Sequence, residues 1–365
     1  FAEVGGPINY TGLTPGTVTD PMKGGVINPI SVYPFPNFKA EQTKSYELGT
    51  NLRLFNNKIN IDATVYLTDT YNQTFLSSMS PASGYSGFYV QAGKVRNKGI
   101  ELSLGYNDQF GKVGYATNLT YTANRNKIMK MVHDYKNPSD GSLFSITELT
   151  LQDKGGVYLR EKDAIGDVYV KGILARGKDG KLIEEEGGYK VDRSQRIKIG
   201  SVNPDFSIGW RHNVTWNNIT LDLLFNGRFG GIVTSSTQAF LDDYGVSKDT
   251  YKARQNGGVW VNGTQYDAEK YYTTIGGEQL MAYYAYKATN IRLQEASLSY
   301  TLPGKWFGNV INRLTVSAIG RNLWMIYNKA PFDPEMTSST GTYNRGDVFM
   351  PPSLRSVGFS VKIEL

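Results

Sequence analysis

The chain has 365 residues, a formal net charge of +6, 40% hydrophobic and 20% charged residues, and no cysteine. The absence of thiols excludes a disulfide scaffold and a thiolate metal site. Lysine and arginine are scattered instead of gathered on a basic helix or run, which speaks against nucleic acid.

Residues 1–43, rich in Gly and Pro, read as a loop. Period-two alternation then begins, the mark of strands with one apolar face. Over 46–54, Tyr46, Leu48, Leu52 and Leu54 alternate with Glu47, Asn51 and Arg53. Over 59–68, Ile59, Ile61, Ala63, Val65 and Leu67 alternate with Asn60, Asp62, Thr64 and Thr68. Ile100, Leu102, Leu104 and Tyr106 set the phase of 99–107, and Val113, Tyr115, Leu119 and Tyr121 that of 113–124. In 205–216 the apolar set is Phe206, Ile208, Trp210, Val214 and Trp216. In 217–231 it is Ile219, Leu221, Leu223, Phe225 and Phe229, opposite Asn218, Thr220, Asp222, Asn226 and Arg228, with Leu224 the one apolar intruder. The phase of 290–302 changes near Glu295, which predicts a β-bulge there. Residues 311–327 form the next strand, and "RSVGFSVKIEL" closes the chain with Val357, Phe359, Val361, Ile363 and Leu365 in one phase.

These strands are long, about ten residues each, and no stretch approaches the ~18 consecutive apolar residues of a membrane-crossing helix. Short connections (55–58, 107–112, 217–218, 303–313) alternate with long ones (about 72–95, 126–203, 233–288, 328–353). Short turns at one end and long loops at the other predict an all-β, antiparallel transmembrane β-barrel of the outer membrane, with residues 44–365 as barrel wall. The apolar phase then faces lipid, and Arg211, Asp222, Arg228 and Arg292 line a polar lumen, where they border a path, grip a plug or pair with one another. Trp210, Trp216 and Trp306 suit the aromatic girdles. Nine strands with the last running down into the periplasm leave residues 1–43 outside the cell, so the count predicts the C-terminal part of a larger barrel.

Candidates for chemistry are few. His133 sits in a long loop and His212 in a lipid-facing phase, without convergent metal ligands. The cluster "IEEEGG" at 183–188 lacks the spacing of a calcium loop and reads as a solvated hairpin tip. Gly230 and Gly231 read as a bend in the barrel, and no nucleophile motif points to an enzyme. The long loops are rich in aromatics: Tyr85, Tyr89, Trp260, Tyr266, Tyr271, Tyr272, Tyr283 and Tyr284. Such rings stack on sugar faces in a binding site, or pack the loops together or against a partner.

Five stretches, in order, resemble the SusC/RagA class of TonB-dependent transporters of Bacteroidetes outer membranes. They are "TKSYELGTNLRLFNNKINIDATVY" (43–66), "VRNKGIELSLGY" (95–106), "GSVNPDFSIGWRHNVTWNNITLDLLFNGRFGG" (200–231), "ATNIRLQEASLSYTLP" (288–303) and "LTVSAIGRNLWMIYNKAPFDPE" (314–335). Together they cover about a third of the chain, and "GRNLW…FDPE" after "LSYTLP" is the most specific part. The resemblance implies a barrel of about 22 strands with an N-terminal plug, of which these would be the last nine. It also implies a SusD-like surface lipoprotein as lid, TonB as energy source through a part absent from this chain, oligosaccharides or oligopeptides as substrates, and no cofactor. The class usually ends in an aromatic residue, where this chain has Leu365. A passive porin-type channel and a structural barrel that scaffolds a surface complex are the alternative readings.

Overall fold

The computed structural model describes residues 32–33, 39–78, 87–136, 141, 143–151, 157–307, 311–337 and 346–365. It divides into two compact units: 1–46, 66–98 and 125–165 form the first, and 47–65, 99–124 and 166–365 the second.

Nine long strands recur among the described residues: β1 (Gln42–Leu54), β2 (Ile59–Ser78), β3 (Gly87–Phe110), β4 (Val113–Lys130), β5 (Phe206–Trp216), β6 (Ile219–Phe229), β7 (Asn290–Pro303), β8 (Arg313–Asn328) and β9 (Ser356–Glu364). In the second unit each lies beside the next in sequence, so the sheet is a meander from β1 to β9. Registers from β4 to β9 are antiparallel. This is the architecture that the alternation predicts: a piece of an antiparallel β-barrel wall.

The pairing of β5 with β6 runs unbroken from Phe206↔Phe229 to Trp216↔Ile219. The turn between them is tight, with Asn217 in the left-handed region at φ 50°, a conformation that Asn tolerates well. Between β6 and β7 the register slips: Leu224 faces Glu295 but Phe225 faces Leu293. Gln294 is the extra residue, which places the expected bulge next to Glu295 and restores the apolar phase on both sides.

The apolar phase lies bare. Leu48, Val357 and Phe359 are 74%, 81% and 83% exposed, and Trp210, Trp216, Trp306 and Trp324 are exposed as well. A contiguous apolar surface of this extent is what a lipid-facing barrel presents. The polar phase carries side-chain ladders instead, such as Ser299–Ser317 and Thr301–Thr315 between β7 and β8.

In the second unit a hydrophobic core lies in an insert that follows β6. Three short helices, α1 (Ser236–Asp243), α2 (Lys248–Gln255) and α3 (Ala268–Gly277), interrupt the all-β pattern there. Each starts at a side-chain cap: Ser235 accepts from Gln238 N, Ser247 from Thr250 N, and Asp267 from Lys270 N. Leu174, Leu182, Tyr189, Ala239, Tyr266, Ile275, Leu280 and Tyr284 form its core.

In the first unit the strands outrun the alternation. β2 continues to Ser78 and β3 starts at Gly87, inside the stretch 72–95 expected as a loop; β4 continues to Lys130. The stretch 126–203 likewise holds paired strands, Glu148–Leu151 with Val157–Arg160 in the first unit and Asp167–Leu174 with Val191–Ser201 in the second. The reason is physical: beyond the bilayer neither face of a strand must be apolar, so main-chain pairing continues where hydrophobic periodicity ends. The 183–188 stretch is a hairpin tip, Glu184–Glu185 against Gly188–Tyr189, with all three glutamates exposed.

Candidate lumen site

The polar phase of β4–β8 builds an open groove of about 550 Å³. Thr120 and Ser207 form one side, Asn226 and Arg228 the floor, and Arg292, Asn322 and Glu335 the other side. Register explains the gathering. Arg228 faces Asn290 and Asn226 faces Arg292 across the β6–β7 pair, all before the bulge reverses the phase.

Two arginines of this groove are held by one segment. Arg292 Nη2 donates to Asp333 Oδ1 at 2.8 Å, and the two side chains are only 8% and 9% exposed. Asp333 also accepts from the Ser353 hydroxyl and the Glu335 amide. Burial pushes the Asp333 carboxyl up, but the Ser353 hydroxyl and Arg292 outweigh it and hold the group below the usual carboxylate value. Glu335 Oε1 accepts from Asn290 Nδ2 at 3.0 Å and stands 3.7 Å from Arg228 Nη1. Arg228 Nη2 donates to the Val202 carbonyl at 2.6 Å. The turn itself is tied by Asn328, whose amide donates to the Ala330 and Phe332 carbonyls. "FDPE" is thus a clamp across the mouth of the groove, with two carboxylates on two lumen arginines.

Lower on the same face, Arg211 Nε donates to both oxygens of Asp222, at 3.1 and 2.9 Å. Asp222 is 7% exposed, whereas the Arg211 side chain is 58% exposed. All four predicted lumen residues therefore lie on the polar phase, and each is paired with a neighbour on that wall. Asn290, Asp333, Glu335 and Ser353 complete the network. The available signal for them was the "FDPE" string itself, with two acids flanking a proline that fixes the turn.

The loop aromatics fare differently. Tyr266 and Tyr284 are 8% and 2% exposed inside the insert core. The Tyr266 hydroxyl accepts from Leu182 N, and that of Tyr283 from Leu174 N, each at 3.0 Å. Tyr271 meets Tyr272 and Tyr283 edge to face. Burial pushes the phenol of Tyr272 up to about 12 and raises those of Tyr271 and Tyr284 as well. Trp260, at 61%, and Tyr89, at 39%, stay exposed. Tyr85 lies outside the described residues.

Of the two histidines, His212 packs on Trp210 and bonds Tyr115 Oη through Nδ1 at 2.9 Å. In the first unit, His133 Nε2 lies 2.6 Å from Glu161 Oε2. Burial pushes Glu161 up, but His133, the Met131 amide and Lys162 together hold it down at about 2.

Residues 5–152 match the family described as TonB dependent receptor-like, beta-barrel. The chain is similar to the β-barrel of TonB-dependent receptors. TonB-dependent receptor P3 of Formosa agariphila is 24% identical over 340 residues, covering 87% of this chain and 33% of that protein. TonB-dependent receptor P39 of the same organism is 21% identical, covering 85% and 34%. Among solved structures, the RagAB peptide importer in its closed-closed state matches with a TM-score of 0.66 at 19% identity, over 92% of this chain and 36% of that one. Its open-open state matches at 0.63. The chain thus spans about a third of the length of these relatives. The likeness fixes the fold, and the matching family is one of outer-membrane barrels.

Proposed function

We propose that this chain is the lumen wall of a multi-pass SusC-type importer that takes up oligosaccharides or oligopeptides, energised by TonB and covered by a SusD-like lipoprotein. The observation that carries this reading is the polar groove. Its arginines and carboxylates are prearranged and desolvated by one another, while Thr120, Ser207, Asn226 and Asn322 present neutral donors and acceptors to the lumen. Neutral hydrogen-bonding groups suit hydroxyls and peptide amides, and a fixed ionic frame keeps their geometry. Trp260 and Tyr89 remain as exposed aromatic candidates for ligand or partner contact.

The test is uptake by cells lacking the gene, complemented with the full-length protein, with and without functional TonB. A labelled oligosaccharide and a labelled oligopeptide are offered in parallel. Import of one of them that stops without TonB supports the proposal. Import that continues without TonB indicates a passive pore, and absence of import with normal assembly at the surface indicates a scaffold.

A further inference from the structure

The outer face of the first four strands changes character at one level. On β3 the lipid-facing phase reads Ile100, Leu102, Leu104 and Tyr106 toward the short turn, and Lys98, Arg96 and Lys94 toward the loop end. The same phase gives Lys44 on β1, Asp69 and Tyr71 on β2, and Arg125 and Lys127 on β4.

Four strands reach this level by the same count. A transmembrane β-strand needs about 9–11 residues to cross the hydrocarbon core. About ten residues separate Leu54 from Lys44, Ile59 from Asp69, and Tyr106 from Arg96, and about twelve separate Val113 from Arg125. The charges therefore begin where the hydrocarbon ends, on the side of the long loops, which is the outer leaflet.

Side-chain contacts in the first unit show that these residues form one belt. On the lumen side, Ser45 bonds Thr68 and Thr43 bonds Thr70, which sets Lys44 beside Asp69 and Tyr71. Asn126 Nδ2 donates to Asn97 Oδ1 at 2.8 Å, which sets Arg125 and Lys127 beside Lys98 and Arg96. On the outer face, Arg96 clamps Asp69 with two bonds of 2.7 and 2.8 Å, and Lys94 Nζ is 2.7 Å from the same carboxylate. Lys94 and Lys44 both stand over the Tyr71 ring, 5.1 and 5.7 Å from its centre.

Six cations thus share a face with one carboxylate, Asp69, the one acid at this level among the described residues. Asp69 is only 5% exposed and neutralises one charge. Lys98 and Lys127 are exposed and form no ion pair with a described residue.

We infer that this belt, centred on Lys94, Lys98, Arg125 and Lys127, is a binding site for the phosphate groups of anionic lipid in the outer leaflet. Cations clustered at a membrane surface attract anionic headgroups. Lysine serves as a point-charge phosphate ligand and arginine as a fork. The Asp69–Arg96 pair and the Tyr71 ring hold the cluster open against its own repulsion.

The test uses the full-length protein in detergent, with native mass spectrometry as readout. Probes are dioleoyl phosphatidic acid, dioleoyl phosphatidylcholine and inorganic phosphate. The wild type should retain the phosphatidic acid at least about tenfold over the phosphatidylcholine. The variant Lys94→Gln, Lys98→Gln, Arg125→Gln, Lys127→Gln should lose that preference, while Lys58→Gln with Lys362→Gln should keep it. Folding is checked by heat-modifiable gel mobility. If the fourfold variant fails that check, Lys98→Gln with Lys127→Gln decides, with a reduced preference expected. Equal retention of both lipids by the wild type, or an unchanged preference in the folded variant, overturns the inference. Displacement by equimolar inorganic phosphate overturns the lipid assignment in favour of a soluble anion.

Discussion

The insert between Ser236 and Lys287 and the groove on the polar face of β4–β8 are both rich in hydrogen-bonding side chains, and they use them in opposite ways. In the insert, Tyr266, Tyr271, Tyr283 and Tyr284 turn inward. Their rings fill the core and the hydroxyls of Tyr266 and Tyr283 cap main-chain amides. In the groove, ionic pairs form the frame and neutral polar groups face open space. The difference shows that a residue's chemistry does not decide its availability. Strand phase settles exposure in the groove, whereas tertiary packing settles it in the insert.

The largest effect is expected in the insert. Tyr284→Ala removes a fully buried ring and should cost about 3–5 kcal/mol. Hydrogen exchange should quicken across 236–287 and leave the amides of β5–β8 protected; loosening of the strands instead would erase the distinction between the two regions. Next comes Arg292→Met, which strands the buried Asp333 carboxylate at a cost of about 3 kcal/mol. Proteolysis should then cut near 330–335, and adding Asp333→Asn should restore much of the protection.

The two regions should also part company with pH. The Asp333 carboxyl sits below its usual value, so its contribution is complete above the unfolded value of about 3.9 and fades as pH falls through the folded one. Acid should therefore release the 330–335 segment first. The Tyr272 phenol is raised to about 12. Its contribution is complete below the unfolded value of about 10 and is lost as pH rises toward the folded one. Alkali should loosen the insert first. Tryptophan fluorescence and limited proteolysis across the pH range would follow both. The smallest effect on stability belongs to Asn226→Ala, within about 0.5 kcal/mol, yet it should alter substrate uptake if the groove lines the path.

Much of the wall was legible in the sequence because period-two patterning reports directly which face meets lipid. Strands 217–231 and 205–216 came out nearly residue for residue, and the phase break at Glu295 located the bulge at Gln294. The four residues expected in the lumen share the polar phase for the same reason. What alternation misses is structure that no longer needs it. The extensions of β2 and β3 beyond Leu67 and before Gly99 lie past the hydrophobic core. The helices of the insert are eight to ten residues long, too short for a clear apolar stripe. Their caps were readable as "SSTQ", "SKDT" and "DAEK". The burial of Tyr266 and Tyr284 was not readable, because it depends on Leu174, Leu182 and Tyr189 from a distant part of the chain.

The central claim is that the polar phase of these strands faces an aqueous lumen and the apolar phase faces lipid. The chain has no cysteine, so single cysteines within it report cleanly. Asn226→Cys and Leu221→Cys in the full-length protein would be exposed to a small, charged, membrane-impermeant thiosulfonate in intact outer membranes. Rapid labelling at 226 with protection at 221, and labelling of both in detergent, is the predicted result. Protection at 226 with labelling at 221 would contradict the account.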